Sequence, residues 1–309
     1  MERVLITGAN GFVGVHLAHE LVRQNYKVTG LVFDATQQSN LPSSVKKIET
    51  DLTKKEQLKI IDFKSIDYVI HLAGLADVGK SFSDPEGYMR ANVGMEVNLF
   101  EEALAQNAHP RFLIISSGAL YDPSASLPIT ETSKVAPNSP YGESKLAQEK
   151  YAQEYVSRGL GSIIVRPFNH IGPCQGLGFI VPDLVKQVVD FKTGATQNIQ
   201  VGNLDTSRDY TDVRDIVKAY VSLMVKGRSG EIYNVCSGKA VSGRELLGKI
   251  IDIVGVDPEI VVDQSRIRPT DTPLIYGNPA KLTKEAGWQP VISLDQTLND
   301  VVNEWLAKA

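Results

Sequence analysis

Five short apolar runs most narrow the folds open to this chain. They are "RVLIT" (Arg3 to Thr7), "KVTGLVF" (Lys27 to Phe33), "YVIHLA" (Tyr68 to Ala73), "RFLIIS" (Arg111 to Ser116) and "SIIVRPF" (Ser162 to Phe168). Each is short, continuous and rich in Val or Ile, as expected for strands buried on both faces of a parallel sheet. Stretches with helical spacing, such as Phe12 to Asn25 and Met89 to Gln106, lie between them. The alternation predicts an α/β fold, a doubly wound parallel (Rossmann) sheet with right-handed crossovers.

After Phe168 the pattern loosens. "NHIGPCQGLG" reads as a Gly- and Pro-containing loop, with neither strand nor helix. Helices are expected near Val181 to Phe191, Val213 to Val225, Gly243 to Val254 and Leu294 to Ala307, with short strands such as "EIYNV" between them. The expected division is a dinucleotide-binding domain over 1–168 and a smaller C-terminal α/β lobe over 169–309. The lobe would lean over the carboxyl edge of the sheet and mainly bind substrate, with some segments returning to the first domain.

Composition removes several function classes. The chain has 309 residues, 42% hydrophobic and 22% charged, which is ordinary for a globular protein. A net charge of -4 with dispersed Lys and Arg argues against nucleic acid as a partner. No apolar run reaches the length of a membrane span. Two cysteines, Cys174 and Cys236, are too few for a disulfide framework. With no charged leader before the first strand, the expectation is a cytoplasmic protein.

"ITGANGFVG" joins the first strand to the first helix. Gly8, Gly11 and Gly14 stand where a tight turn, a close backbone approach to phosphate and close helix packing leave no room for side chains. The helix start beyond them, with Asn10, Phe12 and Val13, would offer free N–H groups to a pyrophosphate. The second strand ends in "GLVFDATQQ", which offers Asp34 to a ribose 2'-hydroxyl and no Arg or Lys before Lys46. The coenzyme is therefore NAD(H) or NADP(H), with a lean toward NAD(H). Asp51 and Leu52 are placed to meet the adenine, although Asp51 is equally readable as a turn residue. Leu72, Ala73 and Gly74 would line the coenzyme cleft.

"SPYGESK" (Ser139 to Lys145) puts Tyr141 and Lys145 on one helix face, where the ammonium can reach both the phenol and a coenzyme ribose. A neighbouring cation is expected to lower the phenol pKa toward a value useful for proton transfer. Ser117, in "ISSGALY" at the end of the Arg111 to Ser116 run, could hydrogen-bond a substrate carbonyl beside Tyr141, with Ser116 as a rival.

These motifs, taken in order with "HLAG", make the chain similar to the extended short-chain dehydrogenases/reductases over its whole length. More narrowly it resembles the GDP-4-keto-6-deoxy-D-mannose reductases, relatives of the GDP-mannose dehydratases, through "RPFNHIGPCQGLGFI", "VGNLDTSRDYTDVRDIVKAY", "YNVCSG" and "RPTD". The resemblance implies Ser117, Tyr141 and Lys145 as the catalytic set, Asn169 at the sugar, and Arg208 and Arg268 at the phosphates of the nucleotide. Salt bridges to Asp209, Asp212 or Asp271 are the other reading of those arginines. It implies reduction of the C4 keto group of a nucleotide-linked 4-keto-6-deoxy sugar, GDP-4-keto-6-deoxy-D-mannose to GDP-D-rhamnose, in a homodimer.

Two departures matter. The dehydratases carry an acid two residues before the motif's tyrosine; here that place is Ala119, so elimination of water lacks its acid. Phe33 stands where reductases of this group can have an Arg suited to NADP. Rival readings are a nucleotide-sugar 4-epimerase that retains NAD and a non-catalytic dinucleotide sensor. His16 and His19 lack companions for a metal site and read as a solvated face, His170 as shaping the substrate loop, and Cys174 as unactivated.

Overall fold

The computed structural model describes residues 1–37, 40–266 and 272–309. The first half builds strands β1 (Arg3–Thr7), β2 (Lys27–Val32), β3 (Lys46–Glu49), β4 (Tyr68–His71), β5 (Arg111–Ile115) and β6 (Ser162–Pro167). Its helices are α1 (Phe12–Arg23), the short α2 (Val78–Ser81), α3 (Pro85–Ala105) and α4 (Pro140–Ser157). The rest of the chain adds β7 (Asn169–Ile171), α5 (Ile180–Lys192), β8 (Asn198–Val201), β9 (Ser207–Asp212), α6 (Val213–Lys226), β10 (Ile232–Val235) and β11 (Ala240–Ser242). It closes with α7 (Gly243–Val254), β12 (Glu259–Val262), β13 (Leu274–Ile275), α8 (Ala280–Ala286) and α9 (Leu294–Leu306).

The central sheet is parallel and seven-stranded, in the order β10-β6-β5-β4-β1-β2-β3. The Val/Ile runs sit in its middle because both faces are covered, as β6, buried at every position, illustrates. One face packs α1, α6 and α8; the other packs α3 and α4. β1 and β4 end side by side at Thr7 and His71, so the loops after β1, β4 and β5 open on a common carboxyl edge, where sheets of this kind bind ligands. A third apolar cluster joins α5, α7 and α9 to β8 and β9.

The apolar runs end slightly early: β2 stops at Val32, leaving Phe33 outside and 75% exposed. β3 was not expected, because "KKIE" has no apolar run; it is the charged edge of the sheet, a composition that discourages pairing with other chains. The reading of "NHIGPCQGLG" as loop throughout is corrected. Asn169–Ile171 pairs with β9 forty residues downstream, a non-local contact that the local sequence does not announce. "EIYNV" contributes β10 to the large sheet, beside β6.

Candidate active site

The glycine loop builds an anion cradle from backbone. Gly8 has φ +65°, in the left-handed region that favours glycine, and a Cβ there would lie 3.0 Å from the Ala73 nitrogen. At Gly14 a Cβ would come within 2.3 Å of the Gly8 carbonyl oxygen. The first turn of α1 has neither a side-chain cap nor an acidic residue. By contrast, α3, α4, α6, α7 and α9 are capped by Asp84, Ser139, Asp212, Ser242 and Ser293, and α5 carries Asp183 in its first turn; the short α8 is bare like α1. The N–H groups around Phe12, Val13 and Gly14 thus fit a pyrophosphate.

The two acids expected near the adenosine are turned into their own loops. Asp34 Oδ1 accepts from the Thr36 amide at 2.8 Å and from its hydroxyl at 2.6 Å. Asp51 Oδ1 accepts in the same way from Thr53, and its other oxygen pairs with Lys54 at 3.5 Å. Asn10 Nδ2 reaches the Asp34 carbonyl at 3.5 Å, tying the first loop to the second. Leu52 is buried beneath this end. Leu72 to Gly74 follow β4; the Ala73 amide donates to Thr7 Oγ1 at 3.0 Å, and a Cβ on Gly74 would lie 3.7 Å from Lys145 Nζ.

Ser139 caps α4 and Pro140 occupies its first turn, which sets Tyr141 at the cleft. Lys145 is buried one turn on, its Nζ donating to the Ile115 carbonyl at 2.9 Å and standing 6.0 Å from the Tyr141 ring centroid. Burial lowers its pKa to about 8, with the Glu149 carboxylate pulling the other way. The expectation that Lys145 lowers the Tyr141 pKa is corrected. Burial pushes the phenol up, a side-chain hydrogen bond with Ser117 pulls it down, and Tyr88 adds to the rise. The desolvation of a dry phenol outweighs an ammonium whose hydrogen bond goes to a backbone carbonyl. Tyr141 therefore keeps its proton at neutral pH.

Ser117 is the serine at the phenol. It caps the 3-10 turn Gly118–Leu120, accepting from the Ala119 amide at 3.1 Å. Ser116 is buried and donates to Glu149 Oε1 at 2.5 Å. Glu149 also takes two bonds from Arg166, at 2.8 and 2.6 Å. This buried pair fixes α4 against β6, and removing either partner would cost about 3–5 kcal/mol.

Asn92 was missed by the sequence reading. It is fully buried in α3; its Oδ1 accepts from the Leu75 amide at 2.8 Å and its Nδ2 donates to Ser144 Oγ at 2.9 Å. It thereby ties the loop after Gly74 to the helix bearing Tyr141 and Lys145. Its only sequence signal is its place on a four-residue stripe with Tyr88 and Glu96.

Of the residues expected at the substrate, Asn169 is exposed and donates to the Asp209 carbonyl at 3.4 Å. Arg208 Nη1 donates to the carbonyls of Ser207 and Thr272 at 2.9 and 2.6 Å. Asp209 accepts from Ser237 and Gly238, and Asp212 from Arg214 and Thr297. Arg268 lies outside the described residues. His16 is not simply a solvated face. It is half-buried against Phe12, and its Nε2 meets the Pro173 carbonyl at 2.9 Å. His170 stacks on Phe12, ring centroids 6.1 Å apart, so β7 rests on the start of α1. Among the described residues no cluster of His, Cys, Asp or Glu could hold a metal ion, and no helix is long and apolar enough to cross a membrane.

The sequence profile of GDP-mannose 4,6 dehydratases matches residues 5–301. The chain belongs to that family. It is an extended short-chain dehydrogenase/reductase, built as an NAD(P)-dependent oxidoreductase. It is 35% identical to a GDP-6-deoxy-D-mannose reductase from Pseudomonas aeruginosa over 98% of this chain and 97% of that protein. The structure of RMD from Pseudomonas aeruginosa, complexed with NADPH, superposes with a TM-score of 0.88 at 33% identity, covering 100% of both chains. A UDP-glucose 4-epimerase from Thermotoga maritima, solved with UDP-glucose, gives a TM-score of 0.90 at 26% identity over 99% of each chain.

Proposed function

We propose that the protein reduces the C4 keto group of a GDP-linked 4-keto-6-deoxy sugar, converting GDP-4-keto-6-deoxy-D-mannose to GDP-D-rhamnose. The carrying observation is Tyr141 hydrogen-bonded to Ser117, with Lys145 Nζ 6.0 Å from its ring centroid, in a chain whose glycine loop leaves the start of α1 uncapped. The end-to-end similarity to a GDP-6-deoxy-D-mannose reductase supports the same substrate class. The coenzyme, when bound, supplies the hydride that reaches C4. Tyr141 gives its hydroxyl proton to the C4 oxygen, and Ser117 hydrogen-bonds that oxygen as charge grows on it. The Lys145 ammonium stabilises the phenolate left behind and holds the coenzyme ribose. Ala119 ends in a methyl group and cannot protonate a leaving hydroxyl, which favours reduction over dehydration.

Asn169, Arg208 and Arg268 belong to this reading as contacts to the sugar and diphosphate, through the forked geometry that arginine offers phosphate oxygens. The lean to NAD(H) belongs to it too, supported by Phe33 and by the lack of any Lys or Arg between β2 and Lys46. A homodimer through α3 and α4 is supported by the exposed Met89 and Tyr151 on those helices. The test is oxidation of NADH and NADPH with freshly generated GDP-4-keto-6-deoxy-D-mannose. Stoichiometric consumption of either coenzyme is expected; no consumption sinks the reading. Tightly bound NAD, with turnover that needs no added coenzyme, points instead to a 4-epimerase, the activity named for the Thermotoga maritima relative.

A further inference from the structure

A carboxyl group and a carboxamide meet in the dry seam between α3 and α4. Glu96 and Gln148 are both fully buried, and Gln148 Nε2 donates to Glu96 Oε2 at 2.8 Å. The other two oxygens, Glu96 Oε1 and Gln148 Oε1, are each buried without a partner among the described residues. A carboxylate and an amide carbonyl only accept, so neither can satisfy the other. A proton on Glu96 Oε1 supplies the one donor both lack and closes a cyclic acid–amide pair with two hydrogen bonds.

The charges around this pair are few. Lys145 and Glu149, both on α4, face Glu96. Glu149 is already engaged by Arg166 of β6 and by Ser116. Lys145 is faced by Glu96 and Glu149, and by His71 of β4, whose own pKa burial and Lys145 together lower to about 3. Ser117 and Tyr88 face Tyr141. Burial holds the Glu96 carboxyl well above the ordinary carboxylate range, in agreement with the hydrogen-bond argument.

We propose that Glu96 is a protonated, uncharged acid locked to Gln148, a positioning residue that leaves the Lys145 ammonium without a buried counter-ion of its own. The field of Lys145 then falls on Tyr141 and the coenzyme ribose. An ionised Glu96 would draw the ammonium toward the seam and raise the pKa of both Lys145 and Tyr141. The kinetic part of this inference rests on the reductase reading; the protonation of Glu96 does not.

Infrared difference spectroscopy in ordinary and heavy water tests the acid with no substrate present. Wild-type protein at neutral pH is expected to show the C=O band of a protonated carboxylic acid, and Glu96→Gln to lose it. Glu96→Leu, which leaves Gln148 unpaired, is expected to lower kcat about tenfold. Glu96→Gln, which keeps both hydrogen bonds and no charge, is expected to rescue it with the wild-type pH profile. Gln148→Glu sets a second carboxyl beside the first, so the pair shares one proton and carries one negative charge. That variant is expected to move the alkaline limb of kcat upward by about one pH unit. A wild-type spectrum without the band, or a Glu96→Gln alkaline limb displaced from wild type, overturns the proposal; should Gln148→Glu fail to fold, those two readouts decide it. A wild-type protein that shows the band but consumes no coenzyme with the keto sugar refutes the reductase reading and leaves the Glu96 assignment standing.

Discussion

Helices α1 and α4 flank the same sheet and bury stripes of the same spacing, one largely apolar and the other largely polar. The α1 stripe is Gly14, Leu17, Ala18 and Leu21, with Glu20 the single ionisable member of the buried set, held by Arg23 and Gln24. The α4 stripe runs through Tyr141, Ser144, Lys145, Gln148, Glu149, Ala152 and Tyr155, most of it polar or ionisable. On the proposed function, the difference follows from what each end of the cleft has to do. A pyrophosphate can be held by backbone N–H groups, so the side chains of α1 are free to pack. Proton transfer needs side chains of defined charge, and α4 must bury them with a partner for nearly every polar atom.

The sharpest break in that comparison is Tyr141→Phe. Removing the hydroxyl proposed as proton donor is expected to lower kcat by about 10²–10⁴-fold while coenzyme affinity, proposed to rest on α1, stays near wild type. A matching loss of NAD(P)H binding in a fluorescence titration would show that the two ends are not separable. The converse break is Gly14→Ala, whose Cβ would strike backbone oxygens at 2.3 and 2.6 Å. It is expected to weaken coenzyme binding by at least tenfold and to destabilise the fold by roughly 1–3 kcal/mol, read by titration and by denaturant unfolding.

Protons sharpen the contrast at the α4 end. With the Lys145 pKa lowered to about 8 and Tyr141 raised above its ordinary value, kcat/KM is expected to fall as pH rises through about 8, when the ammonium is lost. The same shift has a stability sign. Between about 8 and the ordinary lysine value, the unfolded chain binds a proton that the folded chain lacks. This group therefore adds stability as pH climbs through that window and removes it as pH falls. A kcat/KM profile flat through that range would dismiss Lys145 as the controlling group. The smallest effect is expected at the α1 end: Phe33→Arg should raise the NADPH preference in kcat/KM about tenfold by offering a fork to the 2'-phosphate.

The same contrast explains what could be read from the chain. The apolar strands, the glycine loop and the Tyr141/Lys145 pair were legible because each is a local pattern whose physics is complete within a few residues. Ser116–Glu149–Arg166 and Glu96–Gln148 were not, since their members lie 17 to 52 residues apart and resemble a solvated helix face in composition. Asn92 hid for the same reason. β7 was missed because its partner strand comes after a helix and another strand, and β3 because an edge strand can be charged. The lowering of the Tyr141 pKa was expected from proximity to Lys145, and only the depth of burial reversed it.

The late arrival of β10 bears on anyone who would dissect this molecule. A fragment ending near Phe168 would present Ser162–Pro167, hidden along its whole length in the intact chain, as a bare hydrogen-bonding rim. Such a piece would be sticky, apt to stack strand to strand with its own copies. The two halves of the chain should therefore be studied as one unbroken polypeptide.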